Sequence, residues 1–92
     1  MKVTVTYYGQ FRQVAGVEKE AVDIDEGGGI ADVAAKLVEK HGEAVQNILL
    51  TQDNKVRGNL LVTVNDESID ADNQVPLKDG DEISLHTALS GG

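Results

Sequence analysis

The chain has 92 residues, enough for one small domain with a single modest core. It contains no cysteine, which excludes disulfides, thiolate metal sites, iron–sulfur clusters and cysteine nucleophiles. Sixteen acidic residues against eight lysines and arginines give a net charge of −8, a surface that repels nucleic acid and suits steering towards a basic partner.

The start, Met1-Lys2-Val3-Thr4, lacks an apolar leader, and no apolar run approaches membrane-spanning length, so a cytoplasmic protein is expected. Lys2 to Tyr8 alternates, with Val3, Val5 and Tyr7 on one face and Thr4, Thr6 and Tyr8 on the other, which predicts a strand with one face in the core. Gln10 to Gly16 reads as a connection anchored inward by Phe11 and Val14. Glu18 to Ile24 alternates again, with Glu20, Val22 and Ile24 opposing Lys19, Ala21 and Asp23, so the two strands should form an antiparallel hairpin.

Gly27-Gly28-Gly29 then precedes an apolar stripe of Ile30, Val33, Ala34, Leu37, Val38 and His41, the spacing of an amphipathic helix closed by Gly42. The glycine turn lacks the Lys-Ser/Thr of a phosphate loop and reads as a flexible turn. Glu43 to Leu50 predicts a shorter helix, and Thr51 to Gly58 a polar, mobile loop. Leu60 to Val64 is the next strand, ending at Asn65-Asp66, with a short pairing segment around Ser68-Ile69. Pro76 to Asp81 is turn chemistry, with Asp79-Gly80 as a hairpin-type signal, and Glu82 to Thr87 is the closing strand.

This order predicts an α+β fold in which one main helix packs across one face of a mixed four- to five-stranded sheet with a parallel central pair. That is the β-grasp arrangement of ubiquitin. Residues 1–87 form the predicted domain and residues 88–92 a flexible tail, Ala88-Leu89-Ser90-Gly91-Gly92, that reaches roughly 17 Å when extended. Two terminal glycines pack nothing, yet they thread a narrow channel and leave the Gly92 carbonyl open to attack from either side.

Three segments carry a family resemblance. Tyr7-Tyr8-Gly9-Gln10-Phe11-Arg12-Gln13-Val14-Ala15-Gly16 resembles the first strand-end and loop of the small subunit of molybdopterin synthase. Val64-Asn65, with Pro76-Leu77-Lys78-Asp79-Gly80-Asp81-Glu82-Ile83, resembles that family's second half, and Ser90-Gly91-Gly92 its end. The chain is thereby identified as similar to the MoaD/ThiS-type ubiquitin-like superfamily, which includes the small archaeal modifier proteins. It departs where the family has an aromatic or aliphatic residue followed by Pro-Pro, because His86-Thr87-Ala88-Leu89 stands there, and its helix follows three glycines instead of a Thr cap.

The resemblance implies a carried substrate, not an enzyme. An adenylating enzyme of the ubiquitin-activating type would use ATP and Mg²⁺ to activate Gly92, with Leu89, Ser90 and Gly91 threading its channel; no cofactor is bound by the chain itself. Lysine attack would give an isopeptide-linked modifier, the first reading, and persulfide attack a thiocarboxylate sulfur carrier for molybdopterin, thiamine or tRNA thiolation, the second. A non-covalent β-grasp binding module is the third. The expected partners are the adenylating enzyme and either target proteins or a synthase large subunit, with neither nucleic acid nor membrane, the free chain being a monomer.

On the outward sheet face Tyr8, Leu61, Thr63 and His86 are the candidate docking residues, weighed against the ordinary exposure of single apolar residues. Leu89 either anchors the tail in a partner or folds back on its own sheet. Lys55, in a polar loop, is a candidate isopeptide acceptor on exposure alone. Asp66, Glu67, Asp70 and Asp72 lack the spacing of a calcium loop and read as a solvated acidic stretch, so no metal site is expected.

Overall fold

The alternating and helical periods resolve into five strands and three helices in a computed structural model, which describes residues 1–70 and 75–87. In chain order these are β1 (Lys2–Tyr7), α1 (Gln10–Ala15), β2 (Lys19–Asp23), α2 (Ile30–His41), α3 (Glu43–Leu49), β3 (Leu60–Val64), β4 (Glu67–Ile69) and β5 (Glu82–Thr87). The sheet runs β2-β1-β5-β3-β4. β1 and β5 form the parallel pair at its centre, while β1–β2, β3–β5 and β3–β4 are antiparallel. This is the β-grasp arrangement that the element order predicts.

One face of the sheet is dry. Val3, Val5 and Tyr7 of β1, Leu60 and Val62 of β3, and Ile83 and Leu85 of β5 are buried against Ile30, Val33, Ala34 and Leu37 of α2. Val45 and Leu49 of α3 close the same core. Burying a Leu, Ile or Val side chain contributes about 1.5–3 kcal/mol each, so this layer is the main source of stability.

Helix α2 starts without a side-chain cap on Gly29. Instead the Asp32 carboxylate accepts the Gly29 N–H at 2.9 Å, satisfying one orphan donor of the first turn. The glycine run before it is a defined turn, not a slack one. Gly28 donates to Asp25 O at 3.0 Å and accepts from Leu77 N at 2.8 Å, tying the approach to β5 onto the helix entry. A Cβ on Gly28 would stand 3.0 Å from the Asp25 carbonyl oxygen, a tight approach that favours glycine.

Three segments differ from the sequence expectation. Gln10–Ala15 is a six-residue helix and not a bare connection, opened at Gly9 (φ 56) and closed at Gly16 (φ 78), with Phe11 fully buried. Thr51 to Gly58, expected to be mobile, is tied back on itself by the Leu50–Val56 bridge and by Thr51 N–H donating to Lys55 O at 2.7 Å. Asp79-Gly80 does turn the chain, with Asp81 N–H on Lys78 O at 3.0 Å, yet it joins no hairpin. The strand that follows inserts between β1 and β3, where its neighbours are remote in sequence.

The β3–β4 hairpin turns through Asn65 (φ 52) and Asp66 (φ 71), both left-handed. Asn65 earns the conformation by donating to Asp81 Oδ1 and accepting from Glu82 N–H, each at 3.0 Å. Asp66 has no such compensation, and glycine is preferred at its position in this turn. Asp66→Gly is therefore expected to stabilise the protein by about 1 kcal/mol, read as a higher melting temperature at neutral pH; an unchanged or lower value would contradict the strain.

Candidate functional site

Alternation that buries one side of the sheet leaves Thr4, Thr6, Thr63, Ser84 and His86 on the other, where no helix covers them. Register then decides which of them meet. Tyr8, just past β1, is fixed by its N–H on Leu85 O at 3.1 Å, which sets its ring beside the end of β5. The Tyr8 and His86 rings stack with centroids 4.2 Å apart and planes 4° from parallel. Leu61 lies directly across from His86 in the β3–β5 ladder. Thr63 and Ser84, the next pair on this face, are joined by a hydroxyl–hydroxyl bond.

The four docking candidates therefore lie together. Tyr8 and Leu61 are 46% and 44% exposed, two large apolar side chains on either side of a half-buried His86. Their arrangement offers a partner an aromatic stack, an aliphatic neighbour and a hydroxyl-lined groove bordered by Asp66 and Glu82. This face includes β5, the strand that precedes residues 88–92 in the chain. Leu89, Ser90, Gly91 and Gly92 lie outside the described residues. Lys55 is exposed on its loop.

Asp72 also lies outside the described residues, and Asp66, Glu67 and Asp70 form no metal-binding group. Among the described residues no cluster of three or more His, Asp or Glu side chains could hold a metal ion. No helix among them is long and apolar enough to cross a membrane.

One polar cluster escaped the sequence reading. Glu20 of β2 points to the helix side, where its Oε2 accepts the Tyr7 hydroxyl and meets His41 Nε2, both at 2.5 Å. Its Oε1 pairs with Lys40 Nζ at 2.6 Å. Burial alone would raise the Glu20 pKa, but the bonds from Lys40, Tyr7 and His41, with the His41 charge, hold it at about 2. Burial, then the Glu20 bond and charge, raises the Tyr7 hydroxyl well above its ordinary value. The signal was present: Glu20 shares its strand face with Val22 and Ile24, and His41 ends the apolar stripe of α2.

A family model described as the ThiS family matches residues 5–92. The chain belongs to the ThiS family. Members of this family are small carrier proteins, not catalysts. A curated relative, the molybdopterin synthase sulfur carrier subunit of Chlamydomonas reinhardtii, is 28% identical over 92 residues, all of both chains. Among solved structures, SAMP1 from Haloferax volcanii superposes with a TM-score of 0.88 at 24% identity, covering both chains completely. A chain of the complex of subunits 1 and 2 of the molybdopterin-converting factor from Helicobacter pylori matches over all of both chains, with 30% identity and a TM-score of 0.64. These relatives match this chain over their full lengths.

Proposed function

We propose that this ThiS-family chain is a carrier whose Gly92 carboxylate is activated in trans and converted to a thiocarboxylate that donates sulfur. Residues 1–87 act as the docking domain and residues 88–92 as the tail that enters the partner's active site. The observation that carries this reading is the full-length match to a sulfur carrier subunit, which spans both chains from end to end.

The chemistry needs nothing from the chain beyond a presented carboxylate. A carboxylate is a poor electrophile, so an adenylating enzyme of the ubiquitin-activating type, working in the cytoplasm where ATP is supplied, first makes it one. A Gly92 carboxylate oxygen attacks the α-phosphorus of Mg²⁺–ATP, and pyrophosphate leaves. A persulfide sulfur then attacks the acyl-adenylate carbonyl, AMP leaves, and a thiol cleaves the resulting acyl disulfide to free the thiocarboxylate. ATP and Mg²⁺ belong to the enzyme; the chain binds no cofactor. The small glycines at 91 and 92 let the carboxylate approach the α-phosphorus and then let the persulfide reach the acyl carbonyl.

Docking precedes these steps. The Tyr8–His86 stack and Leu61 supply the apolar centre of the contact, and the net charge of −8 steers the chain to a basic surface on the adenylating enzyme or a synthase large subunit. Tyr8→Ala is expected to weaken binding to the adenylating enzyme about tenfold or more while leaving the fold intact, since the ring is exposed. Titration calorimetry beside a melting curve separates the two effects, and unaltered affinity would remove Tyr8 from the interface.

Conjugation is the second reading, favoured by His86-Thr87-Ala88-Leu89 where the resemblance expects Pro-Pro. In that case the amine of a target lysine, or of Lys55 of another copy, attacks the same acyl-adenylate, AMP leaves, the amine loses its proton and an isopeptide bond forms. Immunoblots of tagged chain in its host decide between them. Heavier species that survive reducing agent and vanish on deleting Gly92 would establish conjugation; their absence, with sulfur on the free chain, establishes the carrier.

A further inference from the structure

The outer side of β2 is the longer of the two edges that the described sheet leaves unpaired, since the opposite edge is the three-residue β4. Antiparallel pairing alternates the direction of backbone groups along a strand. Tyr7 N–H donates to Glu18 O at 2.9 Å and Ile24 N–H to Met1 O at 3.0 Å. With Val5 opposite Glu20 and Val3 opposite Val22, the even-numbered residues of β2 therefore bond to β1. The N–H and C=O groups of Lys19, Ala21 and Asp23 point to the unpaired edge.

The side chains of these same three residues are exposed, all on the face away from α2. Lys19 and Asp23 make no ion pair among the described residues, although Lys2 lies across from Asp23 in the ladder. The strand carries no Pro, Gly or bulge to blunt its edge. Nor does the helix cover this edge: an open groove lined by Ala21, Val22 and Asp23 of β2 and by Lys36, Glu39 and Lys40 of α2 lies beside it, while Lys40 reaches across to Glu20 on the helix side.

We infer that a second copy of this chain pairs here, β2 against β2, antiparallel about a two-fold axis at Ala21. The charge pattern commits the occupant and the register together. In this register Lys19 faces the second copy's Asp23, Asp23 faces the second copy's Lys19, and the two small Ala21 side chains meet on the axis. Sliding by two residues sets Lys19 against the second copy's Ala21 and leaves charges unmatched. Parallel pairing in register sets like charges side by side, which is destabilising. β1 separates β2 from β5, so both Tyr8–His86 faces stay open in the dimer.

Association across so short an edge is weak, because little surface is buried. The net charge of −8 on each copy also opposes it. That repulsion acts between whole molecules and is screened over about 8 Å at physiological ionic strength, whereas charges in contact are screened less. The dimer therefore strengthens as salt rises from low to physiological levels.

Sedimentation equilibrium of the full chain from about 10 µM to about 1 mM is the test, run beside amide chemical shifts over the same range. The expected result is a monomer–dimer equilibrium in which the Lys19, Ala21 and Asp23 amides shift with concentration. Lys19→Asp and Asp23→Lys should each weaken it at least about tenfold, because both cross-strand pairs become like-charged. Mixing the two variants in equal amounts restores both pairs and should return the dissociation constant to within about threefold of the original. The original chain's amide shifts need no variant, so they decide the matter if a variant fails to fold. A chain that stays monomeric throughout, or a dimer indifferent to both charge changes, overturns the proposal.

Discussion

Deleting Gly91 and Gly92 is expected to abolish ATP-dependent activation of the chain while leaving its fold unchanged. The described core runs from Val3 to Leu85, and the two deleted glycines carry no side chain to pack, so melting should be unaffected. Activation depends on the position of one carbonyl. Shortening the tail withdraws the carboxylate from the α-phosphorus by two residues, about 7 Å of extended chain, and even a 1 Å misplacement of a reacting group can cost about a hundredfold. Pyrophosphate exchange catalysed by the adenylating enzyme should therefore fall by at least about a hundredfold. Binding through Tyr8 and Leu61 should persist, so the truncated chain becomes a competitive inhibitor. Exchange at the original rate would mean that Gly92 is not the activated residue.

Replacing Glu20 is expected to be strongly destabilising. The carboxylate gathers the Tyr7 hydroxyl, His41 and Lys40 at the junction of β1, β2 and α2, and its side chain is only 11% exposed. Its folded pKa of about 2 lies below the ordinary 4.5, so its contribution is present above pH 4.5 and is lost as pH falls from there towards 2. A shift of this size corresponds to about 3 kcal/mol. Glu20→Ala should lose about that much at pH 7, because it also strands the buried Tyr7 hydroxyl. Glu20→Gln keeps the shape but not the charge and should flatten the acid limb. Urea unfolding at pH 7 and pH 3 measures both. Equal acid sensitivity in Glu20→Gln and the original chain would rule the cluster out as its source.

Most of this fold was legible because each strand keeps one dry face. Val3, Val5 and Tyr7, or Ile83 and Leu85, announce their strands by period alone, and the stripe from Ile30 to His41 announces α2. Long-range placement was less accessible. Asp79-Gly80 has the chemistry of a hairpin turn, and nothing local reveals that β5 bypasses its sequence neighbour to pair with β1 and β3. The helix over Gln10–Ala15 is too short for a full stripe, though Gly9, Gly16 and the Phe11–Val14 spacing bracket it. The outward face was readable as a set of residues. The Tyr8–His86 stack was not, since it depends on the parallel β1–β5 register. The Glu20 cluster shows the reverse case, a charged residue on an apolar strand face whose three partners only the packed structure supplies.

The central claim is that Gly92 carries sulfur. Its most direct test is the intact mass of the full chain after incubation with the adenylating enzyme, Mg²⁺–ATP, a persulfide donor and a thiol reductant. Exchange of one carboxylate oxygen for sulfur predicts a species about 16 Da heavier, dependent on ATP and absent when Gly92 is deleted. A chain that is adenylated and then returns only to its original mass, or that gains mass equally without Gly92, would contradict the account.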